Sequence, residues 1–272
     1  MKNLKYAFFQ VDAFTDVPFK GNPAAVVLLN EWLADELLQQ IGAENNLSET
    51  AFLVPNQTGY DIRWFTPLHE VELCGHATLA SAYVIFNHVR PDLEEITLET
   101  QKRGQLVVRQ EQEQIVMDFP RIPVKPFDTL PQGLKDLSFK TAYDSDKLIL
   151  ELPSADDVRR FQPDLHLIST LHPLGVAITA LSDQAEFDFV SRFFVPNMGI
   201  DEDPVTGSLH CALADLWSRR LGKLELTARQ LSNRGGTIHL RVQDDRVFLR
   251  GAACLVIKGE MVVPVPETAV PE

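Results

Sequence analysis

The sequence predicts an α+β protein of two pseudo-symmetric lobes, each an antiparallel-rich curved sheet, barrel-like, around one central apolar helix. Two internal matches carry that expectation. Tyr60 to Phe86, YDIRWFTPLHEVELCGHATLASAYVIF, and Phe187 to Trp217, FDFVSRFFVPNMGIDEDPVTGSLHCALADLW, each run from an aromatic-rich strand through a Pro-containing acidic loop and a glycine into an apolar helix. Gln101 to Pro120 and Leu231 to Gly251 each read as an Arg-Gly pair, an alternating strand, a polar turn and a second alternating strand. The same order in both halves implies a duplicated lobe, and duplicated lobes commonly share one cleft.

The elements follow along the chain. AFFQVDAF (7–14) is strand-like, and the chain turns through Pro18, Gly21 and Pro23 into a second strand, AAVVLL. Trp32, Leu33, Leu37, Leu38 and Ile41 form a helical stripe for which Gly42 is the expected stop. SETAFLVPN reads as a short buried strand. CGHATLASAYVIFNHV is small or apolar on nearly every side, the mark of a helix inside a lobe. Pro120, Pro123, Pro126 and Pro131 crowd one stretch that can continue neither a helix nor a central strand, so the boundary is expected between lobes 1–119 and 120–272. KLILELP and GVAITAL are further strands, SLHCALADLW repeats the apolar helix, and the final strands are free to cross back to the first lobe.

Bulk properties narrow the function. A chain of 272 residues suffices for two lobes, each with its own core. With 45% hydrophobic and 23% charged residues it is a globular composition, and the net charge of -13 argues against a nucleic-acid partner, which needs a basic face. The N-terminus lacks a signal-peptide core and no run approaches the roughly 18 apolar residues of a membrane span, so no membrane partner and a cytoplasmic location are expected. Cys74, Cys211 and Cys254 are sparse, odd in number and without a CxxC pair, which reads as reduced thiols.

Three polar clusters could carry chemistry: NNLSETAF, ELCGHAT and DEDPVTGS. Glu49 stands at the mouth of a buried strand, where desolvation in a closing cleft suits proton abstraction; the plainer reading is a carboxylate accepting bonds from turn N–H groups. Gly75 and Gly207 each lie at a helix start, where an unobstructed backbone can hold a carboxylate or an enolate-like oxyanion; each could instead serve only its turn, with Ser208 as a plain N-cap. His76 either relays a proton or bonds a backbone carbonyl. Asp203 follows Asp201 and Glu202, like charges expected to resist its ionisation. Cys74, at a helix start, is expected to have a lowered pKa and would serve either as a reactive thiol or as core.

Five ordered stretches, VDAFTDVPFKGNPAAVV, NLSETAFLV, IRWFTPLHEVELCGHATLASA, GIDEDPVTGSLHCALA and QLSNRGG, resemble the phenazine-biosynthesis PhzF-like proteins over nearly the whole chain. The resemblance implies a diaminopimelate epimerase-like fold and a cofactor-independent isomerase that shifts a proton on a small carboxylate substrate between the lobes, and it implies a homodimer. It assigns Glu49 as general base, with His76, Asp203 and Ser208 as its partners.

Rival readings are weaker. A two-thiol racemase on this fold would need a second cysteine where EDPVTGS offers Asp203, so only an asymmetric Cys74/Asp203 pair stays open. A non-catalytic metabolite-binding module on the same scaffold also stays open. His69, Glu70, Glu72, Cys74 and His76 match no known metal-ligand spacing, so no metal is expected. Cys74 and His76 on one turn do not fit a cysteine hydrolase, and no nucleotide motif occurs. Arg234 could clamp a carboxylate or simply brace a turn.

Overall fold

The alternating first segment forms β1 (Lys2–Ala13), antiparallel to β2 (Asn22–Leu28). This computed structural model describes residues 2–129, 132–134 and 137–265. From β2 the chain runs through α1 (Asp35–Asn45) to β3 (Glu49–Pro55), parallel to β2, and returns antiparallel as β4 (Tyr60–Phe65). The short β5 (Glu70–Val71) leads to α2 (Gly75–Val84), which crosses to β6 (Glu95–Thr100), parallel to β4. Antiparallel β7 (Gly104–Glu111) and β8 (Gln114–Pro120) complete the set.

The same pairings then recur. The edge strand β9 (Lys125–Pro126) flanks β10 (Thr141–Asp144), which is antiparallel to β11 (Leu148–Glu151). Helices α3 (Ala155–Arg160) and α4 (Leu165–Leu171) connect to β12 (Val176–Leu181), parallel to β11, and β13 (Phe189–Phe194) returns antiparallel. α5 (Gly207–Leu221) crosses to β14 (Glu225–Gln230), parallel to β13, followed by antiparallel β15 (Gly236–Gln243) and β16 (Arg246–Gly251). An isolated bridge between Phe194 and Glu202 stands where β5 stands in the first lobe. The matching last strands, β8 and β16, pair with each other, Met117 against Leu249. β17 (Ala253–Val265) then crosses back and runs antiparallel along the whole of β1.

Sequence explains most of this. α2 is buried on all sides from His76 to Ala82, because its alanines and serine let the wrapping strands approach closely. One continuous apolar core holds α2, α5 and strands of both lobes, with Trp217 stacked on Phe189 at 5.6 Å. In the Pro-rich stretch Pro120 ends β8 and Pro126 lies in the short edge strand β9, where a missing N–H is harmless; Pro131 lies outside the described residues. Among the described residues no helix is long and apolar enough to cross a membrane.

The expected stop at Gly42 is corrected. α1 runs on to Asn45 and is closed by Asn46 in the left-handed conformation at φ 48°. Gly42 is buried inside the helix because an added Cβ would lie 3.1 Å from Phe65 Cβ and 3.3 Å from the Thr66 carbonyl, so the helix can press against β4 only there. Phe14 holds a strained φ of 61° in the core. Its ring reaches under the start of α5, and a Cβ at Gly251 would lie 2.5 Å from it.

Candidate active site

The two core helices begin against each other. A methyl group added at Gly75 would stand 3.4 Å from the Gly207 Cα. The residues preceding them, Cys74 and Thr206, are both extended and neither gives a side-chain cap, so first-turn N–H groups of both helices face the same gap without a capping oxygen. Two positive dipole ends meeting head-on repel one another, and the arrangement favours negative charge between them.

Side chains from both lobes supply it. Glu49, at the first residue of β3, places Oε2 3.1 Å from His76 Nε2, and neither atom has an aligned hydrogen bond although both are buried. The other imidazole nitrogen, Nδ1, lies 3.1 Å from Asn22 Nδ2 and 3.4 Å from Cys74 Sγ. Asn22 Nδ2 also donates to Asp203 Oδ1 at 2.8 Å and to the Val205 carbonyl at 2.9 Å. Asp203 Oδ2 in turn accepts from the Thr206 hydroxyl. Glu49, Cys74, Gly75, His76, Asp203 and Gly207 therefore converge. Ser208 is in the first turn of α5 with its side chain exposed, and the capping position belongs to Thr206.

The network fixes a tautomer. Val205 and Asp203 take the two hydrogens of the Asn22 amide nitrogen, which leaves the Cys74 thiol, 3.4 Å away, as the donor facing His76 Nδ1. Neutral His76 is then protonated on Nε2, toward Glu49. Burial opposes a charge on His76, but the Glu49 carboxylate beside it raises its pKa above the ordinary imidazole value. Burial and the charge of Glu49 push the Asp203 carboxyl up to about 6, against the favourable pull of His76, Thr206 and Asn22. The neighbours expected to do this, Asp201 and Glu202, do not: Glu202 is neutralised by Arg192 at 2.8 Å.

The thiol expectation is overturned. Burial and Glu49 raise the Cys74 pKa to about 11, which outweighs the helix start, so the thiol stays protonated. Its positional counterpart is Thr206, the residue before the helix glycine, and Asp203 lies further upstream. Glu49, Cys74 and His76 offer ligand-type atoms within 4.8 Å of one another, a grouping that the sequence scan for metal ligands missed because Glu49 is distant in the chain. The thiol and the carboxylate lie against different imidazole nitrogens, which describes a proton relay better than a coordination sphere.

Braces hold the gap in shape. Gln230, fully buried, accepts from the Thr206 N–H and donates to the Asp203 carbonyl. In the first lobe Arg63 grips Glu70 through Nε and Nη2, both at 2.7 Å, and reaches Asp35 of α1. In the second, Arg192 grips Glu202 at 2.8 and 2.9 Å and reaches the Phe161 carbonyl at the end of α3. Each arginine ties a helix on the outer side of its sheet to the loop feeding a core helix, and each stacks on the phenylalanine two residues on. Arg234 is a brace as well, bonding the Gly21 and Lys20 carbonyls and Asp12 beside the Asn22 strand. The sequence reading missed Asn22 and Gln230; for Asn22 the available signal was a polar side chain opening an otherwise apolar strand, and the mixed strand ELTARQ gave none for Gln230.

Comparison with known proteins agrees with this fold. The sequence profile of the PhzC-PhzF family, phenazine biosynthesis-like proteins, matches residues 11–259. A Pseudomonas aeruginosa protein called an uncharacterized isomerase is 47% identical over 261 residues, covering 95% of this chain and 99% of its own. The crystal structure of a PhzF-family protein from Enterococcus faecalis superposes with a TM-score of 0.90 at 41% identity, covering 95% of this chain and 99% of that one. At 10% identity, where only the fold is comparable, a hydroxyproline epimerase from Agrobacterium vitis gives a TM-score of 0.60 over 96% of this chain and 94% of its own. The architecture is the diaminopimelate epimerase-like α+β fold.

Proposed function

This chain belongs to the phenazine biosynthesis-like (PhzF) family, and from that premise we propose that it is an isomerase that moves a proton between carbons of a small carboxylate-bearing substrate, without a cofactor, in the gap where α2 and α5 begin. One observation carries the reading most: Glu49 Oε2 and His76 Nε2, both buried and without aligned partners, stand 3.1 Å apart beside two uncapped helix starts. The helix N–H groups hold the substrate carboxylate. Glu49 takes the proton from the adjacent carbon, and the electron pair of the broken C–H bond spreads into an enolate-like system that the same N–H groups stabilise. A proton then goes to a second carbon from Asp203, whose raised pKa keeps a share of it protonated near neutral pH. His76 faces the Glu49 carboxylate with its Nε2 hydrogen, and once product leaves, Glu49 gives its proton to solvent and Asp203 regains one from solvent, which closes the cycle. Cys74, with its proton retained, fills space beside His76, which disfavours the thiol-based epimerase.

The test is solvent isotope incorporation. A panel of small unsaturated and amino-substituted carboxylates is incubated with the protein in D2O and followed by proton NMR. The reading expects deuterium at one carbon of a recognised compound together with a shifted double bond or an inverted centre. Compounds that bind by thermal shift and never exchange would instead support a metabolite-binding module.

A further inference from the structure

The residue before each core helix spends its side chain elsewhere than on a cap. Threonine is a good capping residue, yet Thr206 leaves the first turn of α5 uncapped and turns its hydroxyl on Asp203 Oδ2. Cys74 likewise leaves α2 uncapped, its Sγ facing His76 Nδ1 at 3.4 Å. Thr206 is held in place by Gln230, fully buried at the end of β14. The Gln230 amide has a single orientation, because the Thr206 N–H needs an acceptor, Oε1 at 2.9 Å, and the Asp203 carbonyl needs a donor, Nε2 at 2.7 Å. Gln230 Nε2 also lies 3.3 Å from Thr206 Oγ1, so the threonine accepts from the amide and gives its own hydrogen to the carboxyl. Asp203 therefore carries one donor on each oxygen: Asn22 of the first lobe at 2.8 Å on Oδ1, and Thr206 of the second on Oδ2.

We propose that Thr206 is the positioning residue of the proton donor: held by Gln230, its hydroxyl fixes the Asp203 carboxyl at the gap and sets how readily that carboxyl releases its proton. This rests on the role of Asp203 proposed above. When Asp203 protonates the second carbon, the enolate-like electron pair forms the new C–H bond and the pair of the broken O–H bond stays on the carboxyl. That charge appears in a buried place, where an unmet carboxylate is costly. Two hydrogen bonds already aimed at its oxygens meet it without rearrangement. Of the other groups around Asp203, Glu49 of β3 opposes the charge and protonated His76 of α2 favours it. Glu202 of its own loop is neutralised by Arg192 of β13, and Cys74 keeps its proton. Removal of the Thr206 hydroxyl leaves burial and Glu49 less opposed, which makes Asp203 a weaker acid.

Carbon-13 NMR of protein labelled at the aspartate carboxyls, with the Asp203 signal assigned by its loss in Asp203→Asn, tests this without a substrate. Wild-type Asp203 is expected to ionise at about pH 6. Thr206→Val, which keeps the outline and removes the hydroxyl, is expected to move that midpoint up by about one to two pH units, the size of one hydrogen bond to a charged group. Thr206→Ser keeps the hydroxyl and is expected to keep the wild-type midpoint. A role in shape alone predicts the opposite order, since valine preserves the threonine outline and serine does not. If Thr206→Val does not fold, the wild type still decides: the Thr206 hydroxyl proton should exchange slowly and its shift should titrate with the Asp203 midpoint. With a substrate from the panel, Thr206→Val should leave KM within about twofold and carry the alkaline limb of kcat upward by the same shift. An unmoved midpoint in Thr206→Val, or a wild-type hydroxyl that does not follow Asp203, would overturn the inference and leave the isomerase reading standing. A moved midpoint in a protein that exchanges deuterium into no compound would uphold the tie between Thr206 and Asp203 and count against the isomerase reading alone.

Discussion

The two lobes follow the same pairing order down to a bidentate arginine–glutamate grip at the same point of each, and they diverge where they face the gap. Where the first lobe has Cys74 and His76 around its helix glycine, the second has Thr206 and Ser208. The first residue of β3 is Glu49, while β12 begins with the buried apolar Val176. One turn into each helix the likeness returns: Thr78 and His210 each bond the carbonyl four residues back. Duplication thus preserved the frame that aims two helix starts at one spot. Glu49 and His76 came to one side and the Asp203 carboxyl, with its raised pKa, to the other. The proposed transfer between two carbons needs one group that starts without the proton and one that starts with it.

Substitutions can break this comparison at several strengths. Glu49→Gln should reduce turnover by about 10²- to 10⁴-fold, the usual size of a general-base contribution, with little change in melting temperature because Glu49 Oε2 makes no aligned bond; steady-state kinetics with circular dichroism checks both. His210 is buried and neutral, its pKa lowered to about 4 by burial against an unfolded value of 6.5. A depressed base lends stability that is complete above 6.5 and is withdrawn as pH falls toward 4, on the order of 3 kcal/mol in all. His210→Gln should flatten that part of the pH dependence of urea midpoints, whereas Thr78→Val in the matching position should leave it in place. The two arginine grips separate structure from chemistry: Arg63→Met and Arg192→Met should each lose about 2 kcal/mol of stability, discounted for partial exposure. Only Arg192→Met, next to Asp203 through Glu202, should also displace the pH profile of turnover. In the wild type the step that returns the proton should fall about tenfold per pH unit above about 6 as Asp203 ionises, and Asp203→Asn should remove that limb. The smallest effect belongs to Gly207→Ala, whose methyl would make only ordinary contacts at 3.4 Å or more; stability should change by less than about 1 kcal/mol while carboxylate binding weakens.

The sequence made the frame legible because its signals are local and occur twice: a strand, an acidic loop, a glycine and an apolar helix. The convergence of Glu49, His76 and Asp203 could be named only through the family resemblance, since nothing local says that β3, α2 and the loop before α5 meet. What stayed hidden depends on tertiary contact. Gly42 looks like a helix stop until β4 is packed against it. Asp203 has a raised pKa, but from burial and Glu49, because Arg192 silences the glutamate beside it. Cys74 has the position of an activated thiol and the surroundings of an inert one. Asn22 occupies no motif of its own, yet its single amide nitrogen touches His76 of one lobe and Asp203 of the other.

The division of labour between lobes is tested most directly by following isotope exchange and product formation separately, in D2O, for Glu49→Gln and Asp203→Asn with a substrate found in the panel. The account predicts that Glu49→Gln stops both, and that Asp203→Asn still exchanges deuterium into recovered substrate while forming little product. Exchange that survives in Glu49→Gln would contradict it.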